Sequence, residues 1–216
     1  MAEKVNFRRY SLFNRTKKGG LNPIQMSQSA TQQSKWIETG YQHFAEYGPS
    51  ELKIKNIAHD AGIARTTFYH FFTDIADFTD RLLDHHREMA KEYRAELKAC
   101  QTYNPDTFLV IEAYRTGIFF HRQLFLHKEN PTFYLTYQVL NKTSNEILYP
   151  LWAEFFGYDG NSLVGKEILL MLIDLWYLNL TPEDFSFKDF LEHSLQIKRQ
   201  IELFSRSHQI QALGKF

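Results

Sequence analysis

Residues 54–72 read Ile54-Lys55-Asn56-Ile57-Ala58-His59-Asp60-Ala61-Gly62-Ile63-Ala64-Arg65-Thr66-Thr67-Phe68-Tyr69-His70-Phe71-Phe72. Ile54, Ile57, Ala58 and Ala61 recur at helical spacing and form one face of a short amphipathic helix. Gly62 follows, and glycine takes the left-handed conformation that ends a helix without a steric penalty. A second short helix is expected beyond it, with Ala64, Phe68 and Phe72 four residues apart on one face. Two short helices around a tight glycine turn make a helix-turn-helix. The plain alternative is an ordinary helical hairpin with a solvated polar face.

Turning the second helix at about 100° per residue, with Phe68 inward, points Thr66, Tyr69, His70 and Thr73 away from the core. Arg65 and Thr67 fall on the flanks. These hydrogen-bonding side chains gather at the helix N-terminus, the end that a recognition helix pushes into the major groove. Arginine can grip guanine O6 and N7, and threonine offers a hydroxyl or a methyl to a base edge.

Further residues carry a resemblance. Phe44 and Gly48 close a preceding helix, Ile57-Ala58 and Ala61-Gly62 build the next, and Thr67-Phe68-Tyr69-His70-Phe71-Phe72 forms the third. In these positions residues 34–80 resemble the DNA-binding domain of the tetracycline-repressor (TetR) family. The resemblance implies a homodimer on a palindromic operator in double-stranded DNA, with Arg65 and Thr66 reading bases. Thr67, Tyr69, His70, Lys53 and Lys55 would hold phosphates. It also implies a divergent helical domain for ligand binding and dimerisation, in which the fourth helix is the lever and the last two helices form a four-helix bundle across the dimer. The chain departs from the family at Ile75, where a phosphate-binding lysine is usual, at Lys53, where threonine or serine opens the second helix, and at Thr66, where a small residue is common.

The net charge is zero, but its distribution is uneven. Residues 1–33 hold six basic residues (Lys4, Arg8, Arg9, Arg15, Lys17, Lys18) and one acid (Glu3), whereas residues 34–80 hold four basic and seven acidic ones. Phosphate attraction dominates protein–DNA affinity. The basic segment, expected as a flexible arm over residues 1–30, is placed to compensate for the acidic unit behind it, or else stays in solvent as a disordered tail. The single cysteine, Cys100, fits a reducing cytosol. No signal peptide is evident. The most apolar run, Ile168 to Leu180, is interrupted by Asp174 and Asn179 and is shorter than the roughly 20 residues of a membrane span.

Taken in order, a first helix is expected to begin between Thr31 and Ser34, with Trp36, Ile37, Gly40, Tyr41, Phe44 and Ala45 on its apolar stripe and Gly48-Pro49 at its end. Asp74 caps a fourth helix, Ile75 to about Gln101, with Phe78, Leu82, Met89 and Tyr93 inward. His85 and His86 diverge by about 100° and so cannot chelate a metal from one face. Pro105 starts a fifth helix running through Phe108–Phe125, and Pro131 starts a longer one, with a kink or break expected at Pro150. The eighth helix is expected over Leu163–Leu180. The last begins near Thr181-Pro182 or Ser186 and reaches about Ser205.

Aromatic residues are enriched in 104–158, which suits an aromatic core or an apolar pocket with a few polar groups. His121, Tyr137, Gln138, Asn141, Trp152 and Asp174 are the residues expected to line such a pocket. Gly-rich phosphate loops, nucleophile elbows and zinc motifs are missing, so neither an enzyme nor a cofactor is indicated. These readings combine into an all-α protein. Residues 31–74 are the helix-turn-helix DNA-binding domain, and residues 75–216 are the helical ligand-binding and dimerisation domain. The expected function is that of a cytoplasmic DNA-binding transcriptional regulator, a homodimeric repressor released by a small, mostly apolar inducer. The alternative is a helical dimer of the same fold that has lost sequence-specific DNA binding and acts through ligand or protein contacts.

Overall fold

The computed structural model describes the backbone of residues 23–183 and 185–213, and side chains from Thr31 to Leu203 apart from residues 184 and 201. All regular structure among these residues is helical. The first helix, α1, spans Pro23–Tyr47 and so begins earlier than expected. Pro23 is its first residue, where proline's fixed φ suits the helix and its missing N–H costs nothing. Residues 23–30 of the expected arm are therefore helical. Residues 1–22, with every basic residue assigned to that arm, lie outside the described part of the chain.

Gly48 ends α1 at φ 81°. Helix α2 covers Ile54–Ala61 and is closed by Gly62, whose left-handed φ of 63° lets its N–H reach the Ala58 and His59 carbonyls. The reading segment is tighter than the expected helix. Arg65–Thr67 form a 3-10 turn and only Phe68–Phe71 are α-helical, as α3. Ala64, expected inward, is exposed because it precedes that turn in extended conformation.

This head is held by aromatic packing. Trp36 meets Phe68 edge-on at 5.1 Å, and Phe78 lies 5.4 Å from Phe68 and 4.8 Å from Phe72. The Phe78 ring presses on the α1 backbone at Gly40, where an added Cβ would stand 2.2 Å from the ring. Glycine is required at that crossing because Phe78 is fully buried and has nowhere to move. His43 of α1 reaches Asp60 of α2 at 2.7 Å and ties the two helices together.

Helix α4, Ile75–Ala99, is capped by Asp74, which accepts from the N–H groups of Ala76 and Asp77. It runs from the head into the core. The expected fifth helix is divided at Tyr114 into α5, Phe108–Ala113, and α6, Arg115–Leu126. Helix α7 runs unbroken from Pro131 to Phe156 with Pro150 inside it, so of the kink or break expected there the break does not occur. Buried neighbours on both sides of the proline, Tyr149 and Trp152 among them, keep the helix in place. Helix α8 covers Leu163–Asn179 and α9 covers Phe187–Leu213. No helix among the described residues is long and apolar enough to cross a membrane.

Head and core share one hydrophobic cluster. Phe120 of α6 stacks on Phe44 at 4.2 Å and on Tyr41 at 4.4 Å. Gln123 of α6 donates to the Ala45 carbonyl at 3.3 Å. Helix α1 is thus seated directly on the core.

Candidate DNA-reading face and ligand cavity

On the head, Arg65, Thr66, Tyr69, His70 and Thr73 are all exposed and lie together along the 3-10 turn and α3. Phe68, the residue that anchors the segment, is completely buried. Lys55 is exposed on α2. Lys53 is paired with Glu51 at 2.7 Å, with both ends about half exposed. Such a surface pair is worth at most about 1 kcal/mol, so Lys53 is free to exchange it for a phosphate.

Thr67 behaves differently. Its hydroxyl donates to the Ala64 carbonyl at 2.7 Å and accepts from the Trp36 indole N–H at 3.1 Å. A hydroxyl has one proton, and here the Ala64 carbonyl holds it. Thr67 thus pins the reading turn to α1 and has no donor left for a phosphate oxygen. Ile75, at the start of α4, is 38% exposed and offers no charge where it stands.

In the core, α4 to α9 enclose a cavity of about 130 Å³. Of the expected ligand residues, His121, Asn141 and Trp152 line it. Tyr137, Gln138 and Asp174 do not. They line a more open groove beside α7 and α8, which Asn141 also borders. Tyr137 donates to Asp174 at 2.6 Å and accepts from the Asn141 amide at 3.2 Å. The carboxylate interrupting the most apolar helix is therefore satisfied across the α7–α8 seam. Trp152 is also a core residue, stacked on Phe156 at 4.6 Å and on Tyr158 at 5.4 Å.

Further polar residues line the cavity, His86 and Asn145 among them. Both signals were present in the sequence. His86 lies four residues after Leu82 and four before Ala90, on the inner stripe of α4. Asn145 lies four residues after Asn141 and seven before Trp152, on the same face of α7 as both.

His86 and His121 belong to a buried hydrogen-bonded chain. The Tyr41 hydroxyl of α1 is 2.8 Å from His86 Nδ1, and His86 Nε2 is 3.2 Å from His121 Nδ1. Phe120 stacks on His86 at 4.5 Å and seals the group. Burial lowers His121 to about 3, and burial, followed by the neighbouring His121, holds His86 well below histidine's ordinary range. Burial likewise raises the Tyr41 hydroxyl. All three are neutral at physiological pH, so each link carries one proton and every ring nitrogen in it is either a donor or an acceptor. The chain spans α1, α4 and α6 and begins in the head and ends in the wall of the cavity.

Two comparisons bear on what this arrangement is. No curated protein matches the chain. Residues 37–82 match the family model of bacterial regulatory proteins, tetR family. That segment contains the C-terminal part of α1, all of α2 and α3, and the first turns of α4, which together make up most of the head described above. The head is thus similar to the DNA-binding domain of bacterial regulators of the tetR family, which supports a DNA-binding regulator of transcription.

Proposed function

We propose that the protein is a cytoplasmic, homodimeric repressor whose grip on a palindromic operator is released when a small, mostly apolar molecule enters the core cavity. Residues 31–74 act as the reading head and residues 75–216 as the sensing and dimerising domain. Arg65 and Thr66 read base edges. Tyr69, His70, Lys53 and Lys55 contact phosphates, and Thr67 acts indirectly by fixing the turn on Trp36. The observation that carries the regulatory half is the Tyr41–His86–His121 chain. A ligand touching His121 or displacing α4 changes the seat of α1, and a ligand that prefers the altered seat shifts the equilibrium toward it. The test is a thermal-shift screen of uncharged and aromatic metabolites on wild type and Trp152→Ala. Compounds that raise the melting temperature of wild type alone and weaken DNA binding are expected. A screen with no stabilising compound sinks the sensing role.

A twin subunit is placed against α8. Leu170, Met171, Leu175 and Leu178 are 37–56% exposed there, at helical spacing. Exposed apolar patches of this kind mark interaction surfaces. Ile197 of α9, by contrast, lines the cavity and packs against the second core cluster, so it is not available to a partner. Leu170→Glu with Leu175→Glu should yield folded monomers by light scattering. A doubly charged protein that stays dimeric would remove α8 from the interface.

The second reading, a dimer without sequence-specific DNA binding, draws on Ile75, which stands exposed at the start of α4 between Asp74 and Asp77. Gel shifts with wild type and Ile75→Lys separate the two. Retained binding by wild type favours the repressor, and binding gained only in the lysine variant favours the degenerate head.

A further inference from the structure

We infer that the core cavity is built for an uncharged ligand, about the size of a single six-membered ring, that brings an acceptor oxygen to Asn145. The inference rests on the sensing role proposed above and narrows it to a chemical class. Three observations carry it.

Among the described residues the cavity wall contains no Asp, Glu, Lys or Arg, although the chain has 25 basic and 25 acidic residues. An ionic ligand would lose its hydration and find no counter-charge, which is prohibitive in an apolar interior. Of the three histidines in the wall, His86 and His121 are bonded to one another and sealed by Phe120, and His193 is exposed to solvent.

Most other polar groups in the wall are also engaged. Asn141 donates to Tyr137, and Ser194 is bonded to Tyr103. Asn145 is the buried side chain in the wall with an unpartnered atom among the described residues. It is 8% exposed, and its Nδ2 has no hydrogen-bond partner among the described residues. A buried amide donor is costly to leave unmade. A carbonyl or ether oxygen presented inside the cavity would complete it.

Size and access agree with this. An apolar cavity of roughly 150 Å³ holds a benzene-sized guest, and this one measures about 130 Å³. Asn141, Asn145 and Leu169 border both the cavity and the open groove beside α8. A ligand coming in from the groove passes the Asn145 amide, so the group that selects stands at the threshold.

Three probes of similar size, ethylbenzene, acetophenone and benzoate, test the class on the full-length protein by titration calorimetry and thermal shift. Acetophenone is expected to bind about 5- to 10-fold more tightly than ethylbenzene, the value of one hydrogen bond, and benzoate is expected not to saturate. Asn145→Leu should bring the acetophenone-to-ethylbenzene ratio to about one while ethylbenzene still binds. Equal binding of the two neutral probes by wild type would overturn the inference, since a water would then satisfy Asn145, and that comparison needs no variant to fold. Benzoate binding as tightly as acetophenone, or a preference that survives in Asn145→Leu, would overturn it too. Failure of all three probes, with a charged or larger compound emerging from the broad screen, would sink the ligand class and leave the sensing role standing. Failure of the probes and the screen together would sink both.

Discussion

In the head, Arg65, Thr66, Tyr69 and His70 stand in solvent around a single helical turn whose anchor, Phe68, is fully buried. In the core, His86, His121 and Asn145 are buried, and the solvent-facing side of α8 carries exposed leucines and a methionine. The two regions use the same kinds of side chain in opposite environments. A reading surface needs donors that water satisfies until DNA replaces the water, so its polar groups stay outside and its stability comes from aromatic packing beneath. A sensing cavity needs polar groups away from water, where one unmade hydrogen bond distinguishes one ligand from another. Changes at the anchors should therefore act on stability, and changes at the reading face on binding alone.

The largest effect is expected at Phe68. Phe68→Ala empties the centre of the head and should cost about 3–5 kcal/mol, read as a loss of stability in denaturant titration together with loss of DNA binding. An unchanged denaturation midpoint would show that the head is not held by this ring. Gly40→Ala comes next. Its methyl has no space against Phe78, and overpacking of this kind costs about 1–3 kcal/mol. A variant as stable as wild type would mean that α1 and α4 can slide apart freely.

Acid should loosen the core rather than the reading face. His86 and His121 have folded-state affinities for protons far below those of the unfolded chain. Their contribution is fully present above the unfolded pKa of about 6.5 and falls as the pH drops below it, because the unfolded state then binds protons that the folded state refuses. The loss continues down to the folded value of about 3 for His121. Between pH 7.5 and 5.5 the pair should lose roughly 1–3 kcal/mol. His121→Asn should flatten that slope by about one proton, and an identical slope would place the titration elsewhere.

Thr67 and Arg65 sharpen the comparison at its smallest scale. Thr67→Val removes the hydroxyl shared with Trp36 and should cost about 1 kcal/mol of stability. Arg65→Ala should leave stability within about 0.5 kcal/mol yet weaken DNA binding by about 1–3 kcal/mol and relax its sequence preference. Thermal melts and gel shifts on both variants check this. The division fails if Thr67→Val alters only binding or Arg65→Ala alters only stability.

Much of the head was legible in the sequence because its signals are local. The Ala61-Gly62 turn, the Phe68 anchor and the Asp74 cap each follow from a few neighbouring residues, and each is present where it was expected. Where the head departs from its sequence pattern, competing local forces decide. Proline at position 23 starts α1 early, and the reading helix tightens into a 3-10 turn that leaves Ala64 outside. The core was less legible because its site depends on how distant helices meet. Helical spacing places Tyr137 and Asn141 on one face but does not say which side of α7 faces the cavity and which the groove. Asp174 stands out in its apolar run, yet its partner, Tyr137, is 37 positions away. In the sequence His86 stands out only beside His85, because no local pattern announces Tyr41 and His121 on either side of it.

The most direct test of the central claim, a DNA-reading head governed by the core, is selection of binding sites from random duplex DNA by the full-length protein, repeated with Arg65→Ala and Tyr69→Phe. The account predicts enrichment of one palindrome with half-sites a helical turn or a multiple of it apart, a preference blurred by Arg65→Ala, and weaker binding to every sequence by Tyr69→Phe. A wild-type protein that enriches no sequence, or that selects the same palindrome with the same strength after both substitutions, would contradict it.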